Sequence, residues 1–201
     1  MGHVEPLHAL HYELARTGGL QPVIAPPYDV IDDAERAELL ERSPNNIVAV
    51  DLPKGEDPYG RAAADLQQWI DSGVMVRDAE PAIWAVEQEY TAPGSGDRLV
   101  RKGFLARIEV EEYGPGKVRP HERTHAGPKE DRLNLTRATR TNLSPIFVLF
   151  ADPDGTATSA LDAGSAGEPW GEATGWDGAL TRMWRIADPD VVASVCSVAS
   201  A

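Results

Sequence analysis

Between Lys117 and Arg140 the chain sets His121, Glu122, Arg123 and Thr124 in consecutive positions, then Lys129, Asp131 and Arg132 a few residues on. The stretch holds seven Lys/Arg against three Asp/Glu, in a protein whose formal net charge is −13. Cations converging with backbone N–H groups are what a phosphate or carboxylate requires. The same charges can also be nothing more than solvated helix faces. Pro128 is suited to a first helical turn, so the spacing predicts a helix from Lys129, with Leu133, Leu135, Ala138 and Leu143 as apolar positions and Asn142 as its stop. On that helix Lys129 and Arg132 lie three residues apart, at the positive end of the dipole, and can meet one anion. His121 is the candidate general acid or base, with Glu122 as its catalytic neighbour. Glu122 and Asp131 could alternatively hold Mg²⁺ with a nucleotide, because phosphoryl transfer depends chiefly on positioning and charge neutralisation.

Other chemistries are weaker. His121, Glu122 and His125 match the spacing of a zinc hydrolase, but Pro120 before them and Gly127-Pro128 after them leave barely two helical turns, so this is a remote alternative. Ser144 lies next to Pro145 and has no nucleophile elbow, and Gly94 to Gly96 reads as a turn. His3, His8 and His11 have no cysteine or carboxylate pair beside them, which makes them packing or surface residues. No metal ligand is assigned.

The motifs resemble a known family. His121-Glu122-Arg123-Thr124, Gly127-Pro128-Lys129, Asp131-Arg132-Leu133 and Asn142-Leu143-Ser144-Pro145-Ile146-Phe147 are similar to the signature of the domain of unknown function 1015 family. Ala25-Pro26-Pro27-Tyr28-Asp29-Val30-Ile31 and Ser43-Pro44-Asn45-Asn46-Ile47 match it as well. The resemblance adds Arg123, Thr124, Asn142, Ser144, Tyr28 and Asp29 to Lys129, Asp131 and Arg132 as ligand-binding candidates. It also implies a longer architecture with a downstream Asp-Gly-His-His-Arg segment, similar to motifs of the ParB/sulfiredoxin-like superfamily, some of whose members bind nucleotides and phosphorylate free serine. The expectation is therefore the N-terminal part of an enzyme of small-metabolite phosphotransfer, inactive by itself. The alternative is a non-catalytic nucleotide- or anion-binding module. A small anionic ligand or nucleotide is the expected partner.

Composition bounds these readings. A 201-residue chain can bury one substantial core, and a single domain over 1–201 is expected, with a possible subdomain boundary near 152–169 where the sequence turns small and polar. The net acidity argues against DNA or anionic membranes as partners. No apolar run approaches membrane-spanning length, the N-terminus has no basic region followed by an apolar one, and the single cysteine suits a reducing compartment. These features point to the cytoplasm. Oligomeric state is left open.

The elements that must position the candidates follow from pattern. Asp32 or Asp33 should cap a helix to Glu41, and Asp57-Pro58 should open one to Asp71. Ile47 to Leu52 and Ile146 to Phe150 read as buried strands. Ala82 to Tyr90 and Leu99 to Val110 form a hairpin pattern, and Asp177-Gly178 marks another between Trp170 and Ile186. A helix is expected near Ala157 to Ala163. Another, over Val191 to Ala199, carries a valine face expected to lack a partner and to open readily. Hairpins outnumber βαβ patterns, so the fold class is α+β with a mostly antiparallel sheet and flanking helices, and Ile146 to Phe150 is placed at its centre.

Overall fold

The computed structural model describes residues 2–112, 118–120 and 126–201. In chain order β1 (Val4–Glu5), β2 (Leu10–Tyr12) and α1 (Leu14–Thr17) lead to three helices, α2 (Asp33–Arg42), α3 (Val48–Asp51) and α4 (Pro58–Asp71). Then come β3 (Met75–Arg77), β4 (Ile83–Thr91), β5 (Arg98–Leu105) and β6 (Arg107–Ile108). The rest is α5 (Ala126–Thr139), α6 (Thr156–Gly164), β7 (Gly171–Thr174), β8 (Leu180–Ile186) and α7 (Pro189–Ser200). The main sheet has the order β5-β4-β8-β7, and small pairs form from β1 with β6 and β2 with β3. Every pairing is antiparallel, so the chain is α+β as its hairpin signals predict.

Register decides which side chains make the first core. Ala85 stands opposite both Phe104 and Trp184, and Ile83 opposite Ile186. That face carries α6 and α7, whose Leu161, Val195, Cys196 and Ala199 complete the cluster. Gly164 allows the closest approach, since a Cβ there would come within 2.7 Å of the Ile186 side chain. The valine face of α7 has its partner in this core: Val195 and Ala199 are fully buried. The helix is held at its start by Asp188, which accepts from the Asp190 and Val191 amides.

A second core gathers Tyr12, Val23, Val50, Ala62, Leu66, Trp69, Met75 and Leu135, joining α3, α4 and α5 to β2 and β3. Polar contacts tie β2 and β3 to the sheet. The buried Asp78 carboxylate accepts from Arg185 Nε at 2.5 Å and Trp84 Nε1 at 3.1 Å. The His11 ring sits beside it, 5.0 Å from Trp84 and 5.5 Å from Trp170. His8 Nδ1 hydrogen-bonds the Asp78 carbonyl oxygen at 2.9 Å, and the exposed His3 lies 3.0 Å from the Glu5 carboxylate.

Two expected strands are absent. Residues 48–51 form the helical turn α3, because the buried Asn46 side chain organises the chain there. Its oxygen accepts from the Val48 amide, and its NH₂ donates to the Pro22 and Ile24 carbonyls. A short apolar run is buried equally well as strand or helix, and this cap selects helix. Residues 146–150 form no strand, and Ile146, Phe147 and Leu149 are 69, 70 and 80% exposed. The centre of the sheet is β4 and β8, and this segment takes no part in it. The helix predicted from Lys129 starts at Ala126, with Pro128 in its first turn, where a missing N–H costs nothing. It ends at Thr139, and Arg140 turns the chain with φ 54°, two residues before Asn142. Among the described residues no helix is long and apolar enough to cross a membrane.

Candidate functional site

Arg132 on α5 is the hub around which the predicted residues meet. Asp131 and Arg132 leave the helix towards α3 and α4 because Leu135, one turn on, is anchored in the second core at 2% exposure. The guanidinium carbon lies 4.0 Å from the centroid of the Tyr28 ring, a close cation–π stack. Nε and Nη2 donate to Asp131 Oδ2 at 2.9 and 2.6 Å. Nη1 donates to the Asp51 carbonyl at 3.0 Å and to its Oδ1 at 2.9 Å. Four of the five guanidinium N–H groups are thereby committed within the described chain, leaving one on Nη2.

The surrounding groups are polar and coupled. Tyr59, in the first turn of α4, donates to Asp131 Oδ1 at 2.9 Å. That bond, followed by burial, raises the Tyr59 pKa, while an Asn134 hydrogen bond works the other way. Ser144 is near enough to the Asp51 carboxylate to lower its pKa slightly. The Asp51 side chain is 18% exposed. Burial pushes its pKa up; the charge and hydrogen bond of Arg132 and the nearby Ser144 oppose this, and the Asp131 charge adds to it. Desolvation therefore outweighs an ion pair at 2.9 Å in setting the direction of the Asp51 shift.

The structure brings together Tyr28, Asp131, Arg132 and Ser144 of the sequence candidates. Lys129 is exposed one turn before Arg132 and has no ion pair among the described residues. Asp29 and Asn142 are exposed and make no hydrogen bond among the described residues. His121, Glu122, Arg123 and Thr124 lie outside the described residues, as does His125. Sequence reasoning missed Asp51 and Tyr59. Asp51 was legible in one respect: it is the sole carboxylate in the apolar run Ile47 to Leu52, and a carboxylate in such company is seldom buried without a role. Tyr59 gave no signal beyond its place in the first turn after Asp57-Pro58.

Charge sets what this arrangement can do. Two carboxylates against one guanidinium leave the cluster one charge negative, and Lys129 brings it to balance. An incoming anion therefore needs the exposed Lys129 near the start of α5 before Arg132 can turn its remaining N–H towards it. Asp51 and Asp131 supply the oxygen donors a hard cation such as Mg²⁺ prefers. Among the described residues no group of three His, Cys, Asp or Glu is placed to hold a metal by itself.

Comparison with known proteins gives one result. No curated protein and no solved structure matches the chain. The family model described as "Protein of unknown function (DUF1015)" matches residues 4–200, from the first strand to the last helix, and the chain belongs to that family.

Proposed function

We propose that this chain binds a phosphate-bearing small molecule, a nucleotide or a phosphorylated metabolite, against the first turns of α5, and that it serves as part of a phosphotransfer enzyme. The supporting observation is the half-buried carboxylate of Asp51, held 2.9 Å from the Arg132 guanidinium, whose pKa desolvation raises in spite of that pairing. A carboxylate in that condition can accept the proton of a hydroxyl as the hydroxyl attacks phosphorus. Lys129 and the remaining Arg132 N–H face the incoming phosphate, and Tyr28 keeps the guanidinium flat and fixed. Mg²⁺ carried by the nucleotide would find its oxygen donors in Asp131 and Asp51. The resemblance noted from the sequence favours the same chemistry and adds His121 and Glu122 as acid–base candidates.

A second reading is favoured by a different observation. With four of its five N–H groups committed inside the chain, Arg132 can be a strut between α3 and α5, and the chain a binding module without catalysis. Calorimetric titration with inorganic phosphate and with nucleotides tests the shared part. Lys129→Ala should weaken binding about fivefold, roughly 1 kcal/mol, and steepen no salt dependence. Arg107→Ala should change nothing, because Arg107 pairs with Glu5 on the β1–β6 ribbon. Equal binding by wild type and Lys129→Ala would move the site elsewhere. Turnover of nucleotide by the whole enzyme of which this chain is proposed to be a part separates the two readings: Asp51→Asn in that enzyme should abolish turnover while sparing binding, and a whole protein that binds but shows no turnover is a module.

A further inference from the structure

The two-point bond between Asp131 and Arg132 joins neighbours in one helix, and helical neighbours do not face each other. Their side chains leave α5 about 100° apart, so the carboxylate must be brought round to the edge of the guanidinium by a group outside the helix. Tyr59 is placed to do this. Its hydroxyl donates to Asp131 Oδ1 at 2.9 Å, while Oδ2 accepts both Arg132 N–H groups. The Asp131 side chain is 44% exposed, and water would otherwise compete for it. Tyr59 itself stands on a fixed frame. Pro58 and the Asp57 carboxylate, which accepts from the Gly60 amide at 3.0 Å, set the first turn of α4, and a Cβ at Gly60 would collide with that carboxylate. The helix is sunk in the second core through Ala62, Leu66 and Trp69, and the Tyr59 ring packs on the same core. Asp51 holds Arg132 Nη1 and Tyr28 covers one face of the guanidinium. With Asp131 pinned as well, the remaining Nη2 hydrogen has one direction open to it.

We propose that Tyr59 is a positioning residue of the anion site: through Asp131 it fixes the Arg132 guanidinium so that its one open N–H meets the ligand. The inference rests on the reading of Lys129 and Arg132 as the groups that face a phosphate. It adds to that site a residue 72 positions from Asp131 in the chain, on another helix, that touches no ligand. Without the hydroxyl, Asp131 turns to water and Arg132 keeps only Asp51 and the Tyr28 ring. A loosened arginine must then be ordered by the ligand, so affinity falls although no ligand contact has been removed.

Calorimetric titration of inorganic phosphate into the whole chain, with the Arg132 Nε–H followed by NMR and identified by its loss in Arg132→Lys, tests this. Tyr59→Phe keeps the ring in the core and removes only the hydroxyl. It should weaken phosphate binding about fivefold and speed exchange of the Arg132 Nε–H with solvent about tenfold. Asp131→Ala should have a similar effect, and adding Tyr59→Phe to it should change neither quantity further, because the hydroxyl acts through that carboxylate alone. Unchanged phosphate affinity in Tyr59→Phe overturns the proposal. So does a Tyr59→Phe loss that persists in full in the Asp131→Ala background, which is what a tyrosine important only for packing or stability would give. Absence of binding by the wild type is the separate failure of the anion site. The exchange rates then decide alone whether Tyr59 holds Arg132, and equal rates in wild type and Tyr59→Phe refute it.

Discussion

At the scale of the residue, Asp51 shows how function and stability pull apart. Its pKa is raised in the folded chain, so the native state holds this proton more tightly than the unfolded state does. The resulting stabilisation is complete below the unfolded carboxyl value and is lost as the pH climbs through the folded one. At neutral pH the charged carboxylate is therefore a burden on the fold. Asp51→Asn keeps an acceptor for Arg132 and removes the buried charge. It should stabilise the protein by on the order of 1 kcal/mol at neutral pH, with the gain vanishing towards about pH 3, as measured by urea unfolding at both pH values. A loss of stability at neutral pH would mean that the Arg132 pairing outweighs burial. Arg132 is the opposite case. Arg132→Ala strips a partner from two carboxylates, Asp51 and Asp131, so its effect on binding can be read only beside a stability measurement.

At the scale of the element, the sequence was informative wherever a cap or turn carried its own chemistry. Asp32 and Asp57 begin α2 and α4 through side-chain bonds to the amides of Glu35 and Gly60, as their residue types announce. The Asp177-Gly178 hairpin and the long β4–β5 hairpin follow from turn residues in the same way. Apolar runs without such punctuation misled. Ile47 to Leu52 became a helical turn through one long-range hydrogen-bonding residue, Asn46, and 146–150 stayed outside the sheet altogether. Of the site, Tyr28, Asp131, Arg132 and Ser144 could be named in advance, but their meeting point was hidden, because Asp51 lies 81 residues from Arg132 along the chain. The valine face of α7 illustrates the same limit: a pattern shows that a face needs a partner and not where the partner is. Since Val195 is fully buried, Val195→Ala should cost about 2 kcal/mol in urea unfolding, and Asp188→Ala, which loses only a cap, about 1 kcal/mol. A Val195→Ala cost near zero would mean that α7 is loosely held.

At the scale of the whole molecule, two apolar clusters are joined across β3 and β4 by a polar centre. Asp78 is 3% exposed at its side chain and serves Arg185, Trp84 and His11 at once. Asp78→Ala should leave the Arg185 guanidinium and the Trp84 N–H without their acceptor, at a cost of about 3 kcal/mol, and should broaden unfolding if the two clusters then melt separately. Coincident transitions by tryptophan fluorescence and by far-ultraviolet dichroism in that variant would show that they remain one cooperative unit. Cys196 adds a use of a different kind. It is the chain's single cysteine, sits in the first core on α7, and has its thiol pKa raised by burial and, secondarily, by Glu5. A thiol reagent in excess therefore has one possible target, shut inside and short of thiolate, so the labelling rate becomes a clock for how often the C-terminal helix lifts away. The native chain carries its own unfolding reporter, with no probe to engineer and no second thiol to confuse the count.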